Sequence, residues 1–106
     1  MSLPRLTHLQ FLVISELLRG AARGRDLRMR LRAADVRQSG PAFYQMMAGL
    51  EDAGFVSGRY EQQIVEGQII RERHYKVLTS GGTAWKASRD FYRRTAARRG
   101  GLAHGT

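Results

Sequence analysis

Apolar residues fall at helical spacing three times along this chain, change to a strand pattern once, and return to helical spacing near the end. Thr7 followed by Gln10 reads as a capping box, each side chain satisfying a backbone N–H of the other residue. Leu6, Leu9, Val13 and Leu17 then form one stripe, which Phe11, Ile14 and Leu18 thicken until Gly20 stops the helix. A helix this apolar has to be covered on more than one face, by other helices or by a second copy of the chain. After a turn over residues 19–23, a second helix starts near Gly24 or Arg25 and runs to about Ala34. Leu27 and Leu31 are its core contacts, with Arg25, Arg28 and Arg32 on another face. Ser39-Gly40-Pro41 opens a third helix, with Ser as N-cap and Pro in the first turn, where its missing N–H costs nothing. Phe43, Met47 and Leu50 form its buried face, Met46 lies beside them, and Gly54 ends it.

From residue 55 onward the period changes. Residues 57–65 and 69–78 are rich in β-branched and aromatic side chains, and Glu66-Gly67 between them predicts a tight hairpin turn. Thr79 can cap a fourth helix whose first turn, with Gly81 and Gly82, is expected to lie in solvent. Ala84, Ser88, Phe91 and Thr95 share one of its faces, Trp85 and Tyr92 the neighbouring one. The order helix, helix, helix, hairpin, helix predicts a mainly α fold with a small β-hairpin, a winged helix-turn-helix with a two-stranded wing and a C-terminal helix. We divide it into a winged-helix unit over residues 1–78, a C-terminal dimerisation helix over 79–99, and a disordered tail over 100–106.

Length and composition narrow the function. The 106 residues suit one domain, and 42% hydrophobic with 25% charged residues describes an ordinary soluble globular protein. The longest apolar run at the start, residues 11–14, is far too short to span a bilayer, and no signal-peptide pattern precedes it. Without cysteine there is no disulfide, no thiolate nucleophile and no cysteine-ligated zinc. This is compatible with the cytoplasm, where we expect the protein, nucleoid-associated when bound to DNA. Against 9 acidic residues stand 18 basic ones, a net charge of +9 that attracts polyanions. Residues 1–38 carry eight basic and three acidic side chains, and residues 79–106 carry six and one. Residues 39–56, which contain the third helix, carry no basic side chain and two acidic ones.

The segment Gly40-Pro41-Ala42-Phe43-Tyr44-Gln45-Met46-Met47-Ala48-Gly49-Leu50-Glu51-Asp52-Ala53-Gly54-Phe55-Val56 resembles the recognition helix of the PadR family of transcriptional regulators. Tyr44, Leu50, Glu51 and Gly54 fall on the core of that motif. The run from Arg73 to Thr79 resembles the family's second wing strand, and Gly24-Arg25-Asp26-Leu27 the start of its second helix. The Leu-Glu-x-x-Gly pattern is shared with MarR-like and ArsR-like winged helices. In two respects the chain departs from the family. Arg25 stands in place of an aromatic, and Gln45, Ala48 and Gly49 occupy positions where basic residues are common.

The resemblance implies a homodimeric regulator of duplex DNA, most simply a repressor that occludes a promoter. With a third helix that is uncharged or acidic outward, phosphate contacts fall to Arg28 and Arg32, to the wing with Gln68 and Arg71, and to the fourth helix. Base reading falls to Gln45, which can pair bidentately with adenine, and to the methyl groups of Ala42 and Ala48 against thymine. Ser39 at the start of the helix joins them. Tyr44 can bond a phosphate or pack in the core. The dimer would use Leu9 and Val13 of the first helix with Trp85, Phe91 and Tyr92 of the fourth, the alternative being that Trp85 closes its own chain's core. The family also implies a small aromatic effector near that interface. His8, His74 and His104 lack metal-ligand spacing, and no catalytic arrangement or cofactor motif is present, so no enzyme is expected. Two other readings remain beside DNA regulation: a winged-helix protein-interaction module, and an RNA-binding accessory domain.

Overall fold

A computed structural model describes residues 5–104, with side chains over residues 5–98. The elements run α1 (His8–Leu17), β1 (Ala22–Arg23), α2 (Gly24–Ala33), α3 (Gly40–Asp52), β2 (Val56–Val65), β3 (Gln68–Val77) and α4 (Thr79–His104). Thr7 caps α1 through the expected box: its Oγ accepts from the Gln10 N–H at 3.1 Å, and Gln10 Oε1 accepts from the Thr7 N–H at 3.0 Å. Ser39 caps α3 in the same sense, accepting from the Ala42 N–H at 3.2 Å.

The three N-terminal helices and the root of the sheet enclose one core. Leu6, Val13, Ile14 and Leu17 meet Leu27 and Leu31 of α2, Phe43, Met47 and Leu50 of α3, and Phe55, Val56 and Tyr75 at the sheet. Leu18, which the apolar stripe included, is largely exposed.

Strands β2 and β3 pair antiparallel over ten residues, from Val56 opposite Val77 to Val65 opposite Gln68. The turn has φ of 53° at Glu66 and 78° at Gly67, the two positive angles that match the twist of a tight hairpin. The sheet has three strands rather than the expected two, in the order β1-β3-β2. Ala22 and Arg23, expected in a turn, pair with Tyr75 and His74. Two residues are too few to show an alternating pattern, and their pairing partners lie some fifty residues away.

Helix α4 corrects one further expectation. Its first turn lies only partly in solvent: Thr79 and Ser80 are exposed, but Gly82 is half-buried. Gly81 is buried against the Phe55 carbonyl, with which any Cβ at residue 81 would collide. Gly81→Ala should therefore lower unfolding stability by about 2 kcal/mol, an overpacking cost against backbone that cannot rotate away. A denaturant titration in which the midpoint stays put would show that the helix shifts freely. The helix continues through Gly100 and Gly101 to His104. Once a ladder is formed, each further residue adds a hydrogen bond at little cost. Residues 105 and 106 lie outside the described residues.

Candidate nucleic-acid interface

Buried Phe43, Met47 and Leu50 anchor α3, which turns Ala42, Gln45 and Gly49 outward and Tyr44 and Ala48 toward the wing. The N-terminal end of this helix is a cationic corner. Arg28 lies with its guanidinium against Gly40, and a shallow basin of about 530 Å3 is lined by Arg32, Arg37, Gln38 and Ser39. No carboxylate among the described residues comes within ion-pair distance of Arg28, Arg32 or Arg37. The positive dipole end of α3 adds to the same field, which makes the corner suited to an anion. Arg37 was missed from sequence because it lies between helices, where no periodicity applies. The usable signal was its place two residues before the N-cap Ser39.

A cleft of about 720 Å3 separates α3 from the wing. Tyr44, Ala48 and Glu51 form one wall, Tyr60, Arg71 and Arg73 the other, with Gly24 and Tyr75 among the lining. Tyr44 is packed on one side and open to solvent on the other. Its ring lies against Gly24 and meets Phe43 edge-on at 5.0 Å, yet 40% of the residue is exposed. Its hydroxyl has no hydrogen-bond partner among the described residues. Burial, with the nearby Glu51 charge, pushes the Tyr75 hydroxyl up to about 12, so it stays neutral at the back of the cleft. The hydrogen bond that Arg73 donates to the Glu51 carboxylate raises its guanidinium above the ordinary value.

Pairing assigns the wing side chains to faces. Arg71 and Arg73 share the face of Tyr75 toward α3, opposite Gln62 and Tyr60. Gln68, expected to act with Arg71, lies on the other face. At the tip, Ile64 and Ile69 stand opposite one another and are 78% and 69% exposed. The tip also carries Glu66 and three glutamines, Gln62, Gln63 and Gln68, and its nearest cation is Arg71.

Trp85 packs on its own chain: its ring stacks on Phe11 at 5.6 Å and its Nε1 donates to Ser15 Oγ at 2.7 Å. Tyr92 meets Phe11 and Phe91 edge-on, each at 5.6 Å, and His8 at 6.3 Å. These rings form a partly exposed seam along α1 and α4, while Leu9, half-buried, lies on a different face of α1 from Phe11. Val13 is different. It has no exposed surface in the single chain, so it is a core residue and drops out of the expected dimer contacts.

No family model matches the sequence. No curated protein matches it either. Solved structures do. A PadR family transcription regulator from hypervirulent Clostridium difficile R20291 superposes with a TM-score of 0.77 at 13% identity, covering 92% of this chain and 99% of that one. The fold is that of the PadR regulators. A PadR family transcriptional regulator from Eggerthella lenta DSM 2243 gives 0.72 at 20% identity, over 92% of this chain and 83% of the other. Bacillus subtilis PadR, in complex with operator DNA, gives 0.62 at 18% identity over 81% of this chain. The match covers 47% of that longer protein. Arg25 forms an ion pair, its guanidinium lying 2.9 Å from Glu72 of β3. No helix among the described residues is long and apolar enough to cross a membrane.

Proposed function

We propose that this chain is a PadR-like transcriptional regulator that binds duplex DNA as a homodimer in the cytoplasm and represses by occluding a promoter. The observation that carries the reading is the cationic corner at the start of α3. Arg28, Arg32 and Arg37, without carboxylate partners among the described residues, surround a helix N-terminus whose outward face is uncharged over Ala42, Gln45 and Gly49 and acidic only at Asp52 in the last turn. Such a corner holds phosphates and sets the register, and the uncharged face lies where base edges are read. Gln45 pairs with adenine, and Ala42 and Ala48 contact thymine methyls. The Tyr44 hydroxyl and Arg71 take a backbone phosphate in the cleft. A small aromatic effector would lie against the Phe11, Trp85 and Tyr92 seam.

The test is selection of binding sites from a random duplex pool by the purified chain and by Gln45→Ala. The parent should return a two-fold symmetric site. Gln45→Ala should lose preference at one or two base pairs per half-site, about 1–3 kcal/mol for each bidentate contact. A pool that comes back unenriched would favour a protein-interaction module, which the uncharged face of α3 and the exposed isoleucines would then serve.

The wing tip is unsuited to phosphate, since Glu66 sits on it. Its glutamine amides and apolar pair match what minor-groove readers use, amides for base edges and aliphatic wedges between base steps. Ile64→Ala with Ile69→Ala should reduce a DNA bend of about 20° or more, read by circular-permutation mobility. An unchanged bend would place the tip outside the groove.

A further inference from the structure

We propose that Glu51 is a positioning residue that sets the wing's angle on α3 through Arg73, and so delivers Arg71 to the DNA. The inference rests on the DNA-binding reading above. Glu51 lies in the last turn of α3, and its Oε1 accepts from Arg73 Nη2 on the adjoining face of β3. Both side chains are partly buried, 20% and 26% exposed, so water weakens the bond less than it would at the open surface. The carboxylate occupies the place where any residue with a Cβ at position 58 would stand, and Gly58 is what stands there, directly opposite Tyr75.

From Arg73 the contacts lead outward. Its guanidinium lies 4.8 Å from the centre of the Tyr60 ring, its cross-strand partner, and that of Arg71 lies 4.8 Å from the same ring. One aromatic ring thus contacts two cations, of which Arg73 is held by Glu51 while Arg71 has no carboxylate within ion-pair distance among the described residues. On the opposite face of β3 the next residue, Glu72, is held by Arg23 at 3.2 Å and Arg25 at 2.9 Å, at the start of α2. Consecutive residues of one strand are therefore tied to the two helices of the helix-turn-helix from opposite faces. Such an arrangement fixes both the tilt and the twist of the wing. Sheet packing alone does not do this along the outer half of the hairpin, where the side chains are exposed.

The 106-residue chain, which contains no cysteine, can be spin-labelled at Met29→Cys and Gln68→Cys and diluted into excess unlabelled chain. Without DNA, the parent should give one narrow distance between α2 and the wing tip. Glu51→Gln and Arg73→Gln should each broaden it, and the double variant should broaden it no further, since residues acting through one another are non-additive. With DNA, each variant should flatten the salt slope by about 0.9 per lost Arg71 contact while leaving the preferred bases unchanged. Arg73→Lys keeps the charge but loses the fork, and gives the same reading with the fold least disturbed. An unchanged distance distribution in Glu51→Gln, or single effects that add in the double variant, overturns the proposal. Failure of the parent to bind DNA would defeat the DNA reading, while the label distances would still decide the latch.

Discussion

Raising salt from about 50 to about 200 mM is expected to weaken duplex binding roughly a thousandfold. Arg28, Arg32 and Arg37 surround the start of α3 with no carboxylate partner among the described residues, so their charge is free to displace counterions from DNA. Two protomers would place about six such guanidiniums on phosphates, and each neutralised phosphate contributes about −0.9 to the slope of log K against log salt. Single Arg→Ala changes at these three positions should each weaken binding to all sequences alike and flatten the slope by about one unit per protomer. Gln45→Ala should leave the slope alone, because a base contact releases no counterion. Gel-shift or anisotropy titrations across the salt range measure both quantities. Binding that is indifferent to salt would leave the net charge with no role beyond keeping the chain in solution.

Legibility from sequence followed the distance between interacting residues. The helices could be read because their signals repeat within a turn: Leu27 with Leu31, Thr7 with Gln10, Ser39 with Pro41. The hairpin was legible because Glu66-Gly67 separates two alternating runs. Features that depend on residues far apart were not. Strand β1 exists only because Ala22 and Arg23 find Tyr75 and His74. Gly81 looked like a solvent-exposed glycine until Phe55 was seen against it. Arg25 read as a departure from the family and proved to be one half of an ion pair with Glu72. Val13 belonged to the same apolar stripe as Leu9, but periodicity alone cannot tell which member of a stripe faces the chain's own core. The candidate interface divides the same way. Gln45, Ala42 and Ser39 were placed by helical phase alone, whereas the Glu51–Arg73 latch joins residues 22 positions apart and shows no local pattern.

The second large effect concerns Trp85. Its ring is stacked on Phe11 at an interplanar angle of 5° and bonded to Ser15, and Arg89 lies 5.3 Å from its centre, so it ties α4 to α1 within one chain. The ring remains partly exposed, as do Phe91 and Tyr92, and a soluble monomer rarely leaves such a seam uncovered. A second copy related by a two-fold axis would cover it and set two α3 helices roughly 34 Å apart, one turn of DNA. Trp85→Ala should then cost about 3 kcal/mol, the lower end of large aromatic truncations, because part of the ring is already in water. Where that cost appears is what distinguishes the two roles. If the ring supports the dimer, the variant should dissociate at micromolar concentration, and its melting temperature should rise with protein concentration. If the ring serves only its own chain, the melting temperature should fall by the same amount at every concentration. Sedimentation of parent and variant separates these cases, and a parent that sediments as a monomer would remove both the dimer and the expectation of a symmetric operator.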